Sequence, residues 1–189
     1  MTLEEYGILL EGALARVRVA VPEERPLFRV AAEVMEMAAA YQSDGVTFLE
    51  AGDRVNALAA FAYGLGWLDA GSSLGLLEPY AVHLPETVDA CIPPSQTGLL
   101  DEKTRRYRRM LDSALAGVKE APDVSSPLHA AAREFRSVAQ RWYEAGEDGL
   151  DAGDLTAALL RLSYGYAWLD AGIRGGLFRV TGSRDLFTV

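Results

Sequence analysis

Residues 49–71 read LEAGDRVNALAAFAYGLGWLDAG, and residues 150–172 read LDAGDLTAALLRLSYGYAWLDAG. Tyr63, Gly64, Trp67, Leu68, Asp69, Ala70 and Gly71 recur as Tyr164, Gly165, Trp168, Leu169, Asp170, Ala171 and Gly172, each 101 positions later. The same offset, without a gap, pairs Tyr6 with Tyr107, Leu10 with Leu111, Val17 with Val118, and Pro26-Leu27 with Pro127-Leu128. About a third of the aligned positions are identical, so the chain is a tandem duplication, and the fold is to be sought in one unit used twice.

Each unit reads as three helices. Tyr6, Leu9, Leu10, Ala13, Leu14 and Val17 fall at helical spacing, as do Tyr107, Met110, Leu111, Ala114, Leu115 and Val118. Prolines follow each stripe at Pro22 and Pro26, then at Pro122 and Pro127. The second helix carries Leu27, Val30, Val34, Ala38 and Tyr41 in one copy and Leu128, Phe135, Val138 and Trp142 in the other, and it stops at Ala-Gly-Asp in both. Gly52 and Gly153 suit a left-handed C-terminal cap, while Asp53 and Asp154 suit the N-cap of the next helix, which predicts a tight helical hairpin. The third helix is expected from Arg54 to about Leu76, and from Leu155 to about Leu177. The expected fold is therefore all-α: two three-helix repeats, residues 1–78 and 101–179, related by a pseudo-two-fold axis. They are joined by a proline-rich linker, 79–100, and followed by a short extended tail or small hairpin, 180–189.

Charge narrows the functional classes. The chain of 189 residues carries a formal net charge of −9, which opposes generic binding to nucleic acid phosphates. The charge is uneven: residues 1–78 hold five basic against twelve acidic side chains, whereas residues 101–189 hold thirteen of each. No apolar run reaches the roughly 20 residues of a membrane span, and the N-terminus has no basic leader, so a cytoplasmic protein is expected. Cys91 is the single cysteine, and His83 and His129 have no histidine or cysteine nearby at metal-ligand spacing, so neither a metal nor a cofactor is expected. Nucleophile elbows, P-loops and dinucleotide fingerprints are absent from the sequence, which argues against an enzyme.

The third helix holds the residues under unusual constraint. Gly64, Gly66 and Gly165 lie mid-helix, where a glycine costs about 1 kcal/mol relative to alanine. Close approach of another helix or of a ligand would offset that. Tyr63 and Trp67, like Tyr164 and Trp168, share a helix face, with Asp69 and Asp170 beside them. Such a set either packs in the core or forms a pocket for a cationic or planar ligand. The run KTRRYRR at 103–109 places Arg105 and Arg106 opposite Glu4 and Glu5 in the repeat alignment, so a pseudo-two-fold axis near these helix starts would bring the acidic and basic pairs together.

The segments ALAAFAYGLGWLDAGSSLGLL and ALLRLSYGYAWLDAGIRGGLF resemble an archaeal domain family of unknown function, family 357, over nearly all of both copies. The resemblance implies a helical bundle and an archaeal, cytoplasmic source, and it supplies no activity. Ser72 and Ser73 in the first copy stand where the second has Ile173 and Arg174. Tetratricopeptide arrays have a shorter period, and the arginine that precedes the histidine in helical nucleases is missing before His83 and His129. The expectation is a non-catalytic module that contacts a protein partner, with further self-association compatible with it; the alternative is a small-molecule or nucleotide pocket at the Tyr/Trp/Asp motif of each repeat.

Overall fold

The computed structural model describes residues 1–80 and 82–188. Among these, six α-helices carry the fold: α1 Leu3–Arg16, α2 Phe28–Glu50, α3 Arg54–Ser73, α4 Thr97–Ala116, α5 Pro127–Asp151 and α6 Leu155–Arg174. The hairpin signals act as the sequence predicts. Gly52 and Gly153 adopt φ of 77° and 75°. Asp53 then accepts from the amide of Asn56 at 3.0 Å, and Asp154 from that of Ala157 at 2.9 Å. Helices α3 and α6 stop at Ser73 and Arg174, short of the expected Leu76 and Leu177, because Gly75 and Gly176 take left-handed φ of 72° and 75° and close them.

Helices α3 and α6 are apolar on every side and buried on every side, as a central helix must be. They cross each other at the centre, with α1 and α2 packed on α3, and α4 and α5 on α6. Alternating glycine and alanine positions allow the close packing, while Leu58, Phe61, Leu65 and Leu68 supply the bulk from one side and Leu159, Leu162 and Leu169 from the other. The two repeats therefore share one continuous core.

Short extended segments complete each unit. In the second repeat β1, Val118–Glu120, pairs antiparallel with β2, Phe178–Val180. In the first, Val19 bridges Leu77 in the corresponding register, and the amide of Ala20 bonds the carbonyl of Leu76 at 2.9 Å just as Ala121 bonds Leu177. Of the tail expected at 180–189, Val180 ends β2, and the chain then runs on through a 3-10 turn at Arg184–Leu186. The linker is likewise more than a tether. Leu84–Thr87 lie 101 positions before Asp185–Thr188: the first segment shares a groove with Trp142 of the second repeat, and the second spans the junction, bonded to Tyr166 and Asp170 of its own repeat and beside Tyr41 and Tyr63 of the first. A 3-10 turn at Pro94–Gln96 leads into α4, which begins at Thr97, inside the segment expected to be linker.

Candidate functional site

The Tyr/Trp/Asp motifs meet at the crossing of α3 and α6. The hydroxyl of Tyr164 donates to Asp69 Oδ2 at 2.6 Å, and that of Tyr63 donates to Asp170 Oδ2, so each repeat supplies the phenol for the other's carboxylate. A second hydroxyl comes from the crossing arms: Tyr80 donates to Asp69 Oδ1, and Thr188 Oγ1 donates to Asp170 Oδ2 at 2.6 Å. Among the described residues no cation forms an ion pair with either carboxylate. Burial raises both carboxyls above the usual aspartate range, partly offset by the hydroxyl donors. Burial likewise pushes the Tyr63 and Tyr164 phenols up, so all these hydroxyls stay protonated donors.

That arrangement fixes the sign of a pH effect. A carboxyl whose folded pKa lies above its unfolded value binds protons more readily in the folded state. Its stabilising contribution is therefore greatest at low pH and is lost as pH rises through the folded pKa. Surface acids such as Glu4 and Glu120, held low chiefly by hydrogen bonds to Arg54 and to backbone respectively, act in the opposite direction. The difference between wild type and Asp170→Asn isolates the buried group. Wild type is expected to gain stability relative to the variant as pH falls from neutral, read by urea unfolding across that range. A difference that does not change with pH would show that Asp170 is not perturbed.

The rest of the motif is packing. An added Cβ at Gly64 would lie 3.2 Å from the carbonyl oxygen of Ala38 on α2, and one at Gly165 would lie 3.3 Å from that of Ala139 on α5. A Cβ at Gly66 would lie 2.7 Å from both Ala167 Cβ and the Tyr164 carbonyl oxygen on α6. These glycines let helices touch backbone to backbone. Trp67 is wholly buried and Trp168 nearly so. Neither indole N–H has a hydrogen-bond partner among the described residues. The Tyr164 ring centroid lies 6.4 Å from that of Trp168, whereas Tyr63 packs tilted against Tyr41 with ring centroids 4.4 Å apart.

The four charged residues expected to face one another do not. Glu4 pairs with Arg54 at 2.8 Å, and Glu5 closes the capping box of α1 with Thr2. Arg105 and Arg106 reach Asp101 and Glu102 one turn earlier on α4. The physical reason is that α4 starts two turns earlier than its counterpart α1 and brings its own acids, while the repeats meet through α3 and α6. His129 contacts the Pro122 carbonyl, and no group of three His, Cys, Asp or Glu side chains among the described residues could hold a metal ion.

Several constrained residues escaped the sequence reading. Gly45 and Gly146 are identical in both copies because Phe61 and Leu162 lie against them; the repeat alignment already carried that signal. Tyr80, Thr188 and Lys103 differ between copies, so a search for shared positions passes over them. Both copies match the family model for a protein of unknown function, DUF357, at residues 5–77 and 106–178. The chain belongs to this family. No curated protein and no solved structure matches it. Each DUF357 unit here contributes one phenol and one carboxylate to a pair of bonds that closes only across two units. Among the described residues no helix is long and apolar enough to cross a membrane.

Proposed function

We propose that this DUF357 chain is a non-catalytic helical scaffold, an archaeal, cytoplasmic protein that works by contacting a protein partner. The observation that carries the reading is the reciprocity of the motif. Tyr63, Asp69, Tyr164 and Asp170 hydrogen-bond one another between repeats, so the most constrained polar groups serve assembly of the bundle and leave its outer surface to do the work. That surface repeats. Leu27 and Leu128 occupy equivalent positions at the start of α2 and α5, and they are 55 % and 53 % exposed, so the duplication offers one apolar feature twice. The acidic first half and balanced second half give the two presentations different electrostatic surroundings.

Native mass spectrometry of protein purified gently from its own cells tests this. A stoichiometric protein partner is expected, and it should be lost from the Leu27→Asp/Leu128→Asp variant while the fold is kept, because exposed substitutions usually alter stability by about 0.5 kcal/mol or less. A chain recovered bare, or a partner held equally by the variant, counts against the proposal.

A further inference from the structure

The duplication provides an internal control, since any feature built at one of two equivalent places and not at the other has been acquired or kept separately. Beneath the C-terminal arm, between α2 and α3 of the first repeat and α4 and α6 of the second, lie two adjoining cavities of about 130 and 90 Å³ that share Tyr41, Tyr63 and Tyr107 as walls. Tyr166 closes the first, with its ring centroid 6.1 Å from that of Tyr63 and 6.4 Å from that of Tyr107. Lys103 and Asn56 line the second. At the equivalent place in the other half, Tyr41, Tyr107, Tyr166, Asn56 and Lys103 become Trp142, Tyr6, Leu65, Ala157 and Thr2. There Tyr6 and Leu65 are fully buried, and what remains is an outer groove under Leu84–Thr87. Both halves hold space there, about 480 Å³ in the outer groove beside Trp142 and Arg161, but only on the first-repeat side is the space lined by phenols and an amine.

Lys103 is the group that needs explaining. Only 8 % of it is exposed, and among the described residues no carboxylate lies within ion-pair distance. Its ammonium donates to Asn56 Oδ1 and sits 5.4 Å from the centre of the Tyr107 ring. An ammonium carries three donors, so two remain for other acceptors. A buried charge without a counter-ion is costly, and burial, followed by the nearby Arg106, pulls the Lys103 pKa down. The walls are neutral phenols: burial pushes Tyr41 up to about 12 and raises Tyr107, and because Tyr63 donates to Asp170 and Tyr166 to the Leu186 carbonyl, the hydroxyls that can turn to a guest are those of Tyr41 and Tyr107. Asp170 lies behind them with its carboxylate engaged by Tyr63 and Thr188, and Asp44 is exposed at the rim.

We propose that this cavity binds a small planar monocarboxylate of about one aromatic ring, with Lys103 as counter-ion, the tyrosine rings packing on the guest and Tyr41 and Tyr107 hydrogen-bonding to it. The space is comparable with the roughly 150 Å³ cavity that admits benzene in an engineered core. An anion answers the unpaired ammonium, whereas a cation would compete with it. The assignment is independent of the partner reading, which rests on the outer surface.

Titration calorimetry of the full chain with benzoate, and with benzylamine as the cation of matching shape, decides it. Lys103→Met keeps the space and removes the charge; Ala59→Leu keeps the charge and fills the space, as Leu160 does in the other half. Benzoate is expected to bind saturably, in the millimolar range or tighter, with at least about tenfold loss in each variant, and benzylamine is expected not to bind. Absence of saturable benzoate binding, equal affinity in both folded variants, or equal binding of benzylamine would overturn the proposal.

Discussion

Replacing Trp67 by alanine is expected to destabilise the protein by about 3–5 kcal/mol, the cost of removing a fully buried tryptophan and leaving a void. Trp67 lies on α3, whose whole circumference is enclosed, so the neighbouring backbone has little room to collapse into the space. Trp67→Phe should cost clearly less: it keeps much of the apolar area and removes an indole N–H that has no partner among the described residues. Urea unfolding of both variants measures this, with midpoints compared at unchanged slope. If Trp67 were instead the wall of a ligand pocket, the alanine variant would lose less than about 1 kcal/mol and the ordering of the two variants would carry no meaning.

The repeat made the architecture legible, and it also set the limits of what could be read. Positions that are identical at the 101-residue offset are those with the same task in both halves, and the structure places them accordingly: the Gly52 and Gly153 turns, the Asp53 and Asp154 caps, and the Tyr and Asp partners of the central crossing. The helix ends at Ser73 and Arg174 were missed because apolar periodicity continues through Leu76 and Leu177, which are buried after the left-handed glycine, just before the chain turns extended. Local pattern records burial and not the conformation that achieves it. The charge pairing failed for a different reason. Alignment places Glu4 and Glu5 opposite Arg105 and Arg106 in sequence, but facing in space depends on where the axis passes, and it passes through α3 and α6.

Nor could the cavity be read from repetition, because it is defined by divergence. Tyr41, Asn56, Lys103 and Tyr166 each differ from their counterparts, and each is unremarkable in its own helix. Only folding brings α2, α3, α4 and α6 together around them. The crossing of the arms has the same character: Tyr80 and Thr188 occupy unrelated places in the alignment yet serve the two equivalent aspartates. A duplicated chain can keep the geometry of a symmetric pair while replacing the side chains that close it.

Gly66→Ala is expected to destabilise by about 1–3 kcal/mol, although alanine is the better helix former by about 1 kcal/mol. The added methyl would sit 2.7 Å from Ala167 Cβ and 2.7 Å from the Tyr164 carbonyl oxygen, and a backbone oxygen cannot swing aside as a flexible side-chain tip can. Gly66 and Ala167 are equivalent positions of the two repeats, so this contact lies at the pseudo-two-fold crossing and pairs one glycine with one alanine. The crossing needs a single methyl there, supplied from either side. Ala167→Gly alone should cost about 1 kcal/mol through helix propensity. The exchanged pair, Gly66→Ala with Ala167→Gly, removes the methyl-to-methyl clash and lets α3 and α6 settle into the arrangement related by the pseudo-two-fold axis. The double variant is therefore expected to be more stable than the sum of the single losses by about 1 kcal/mol or more, within the range of coupling between touching residues. Strict additivity in denaturant unfolding would mean that the backbone contact with Tyr164, and not the pairing of the two repeats, sets the limit at this crossing.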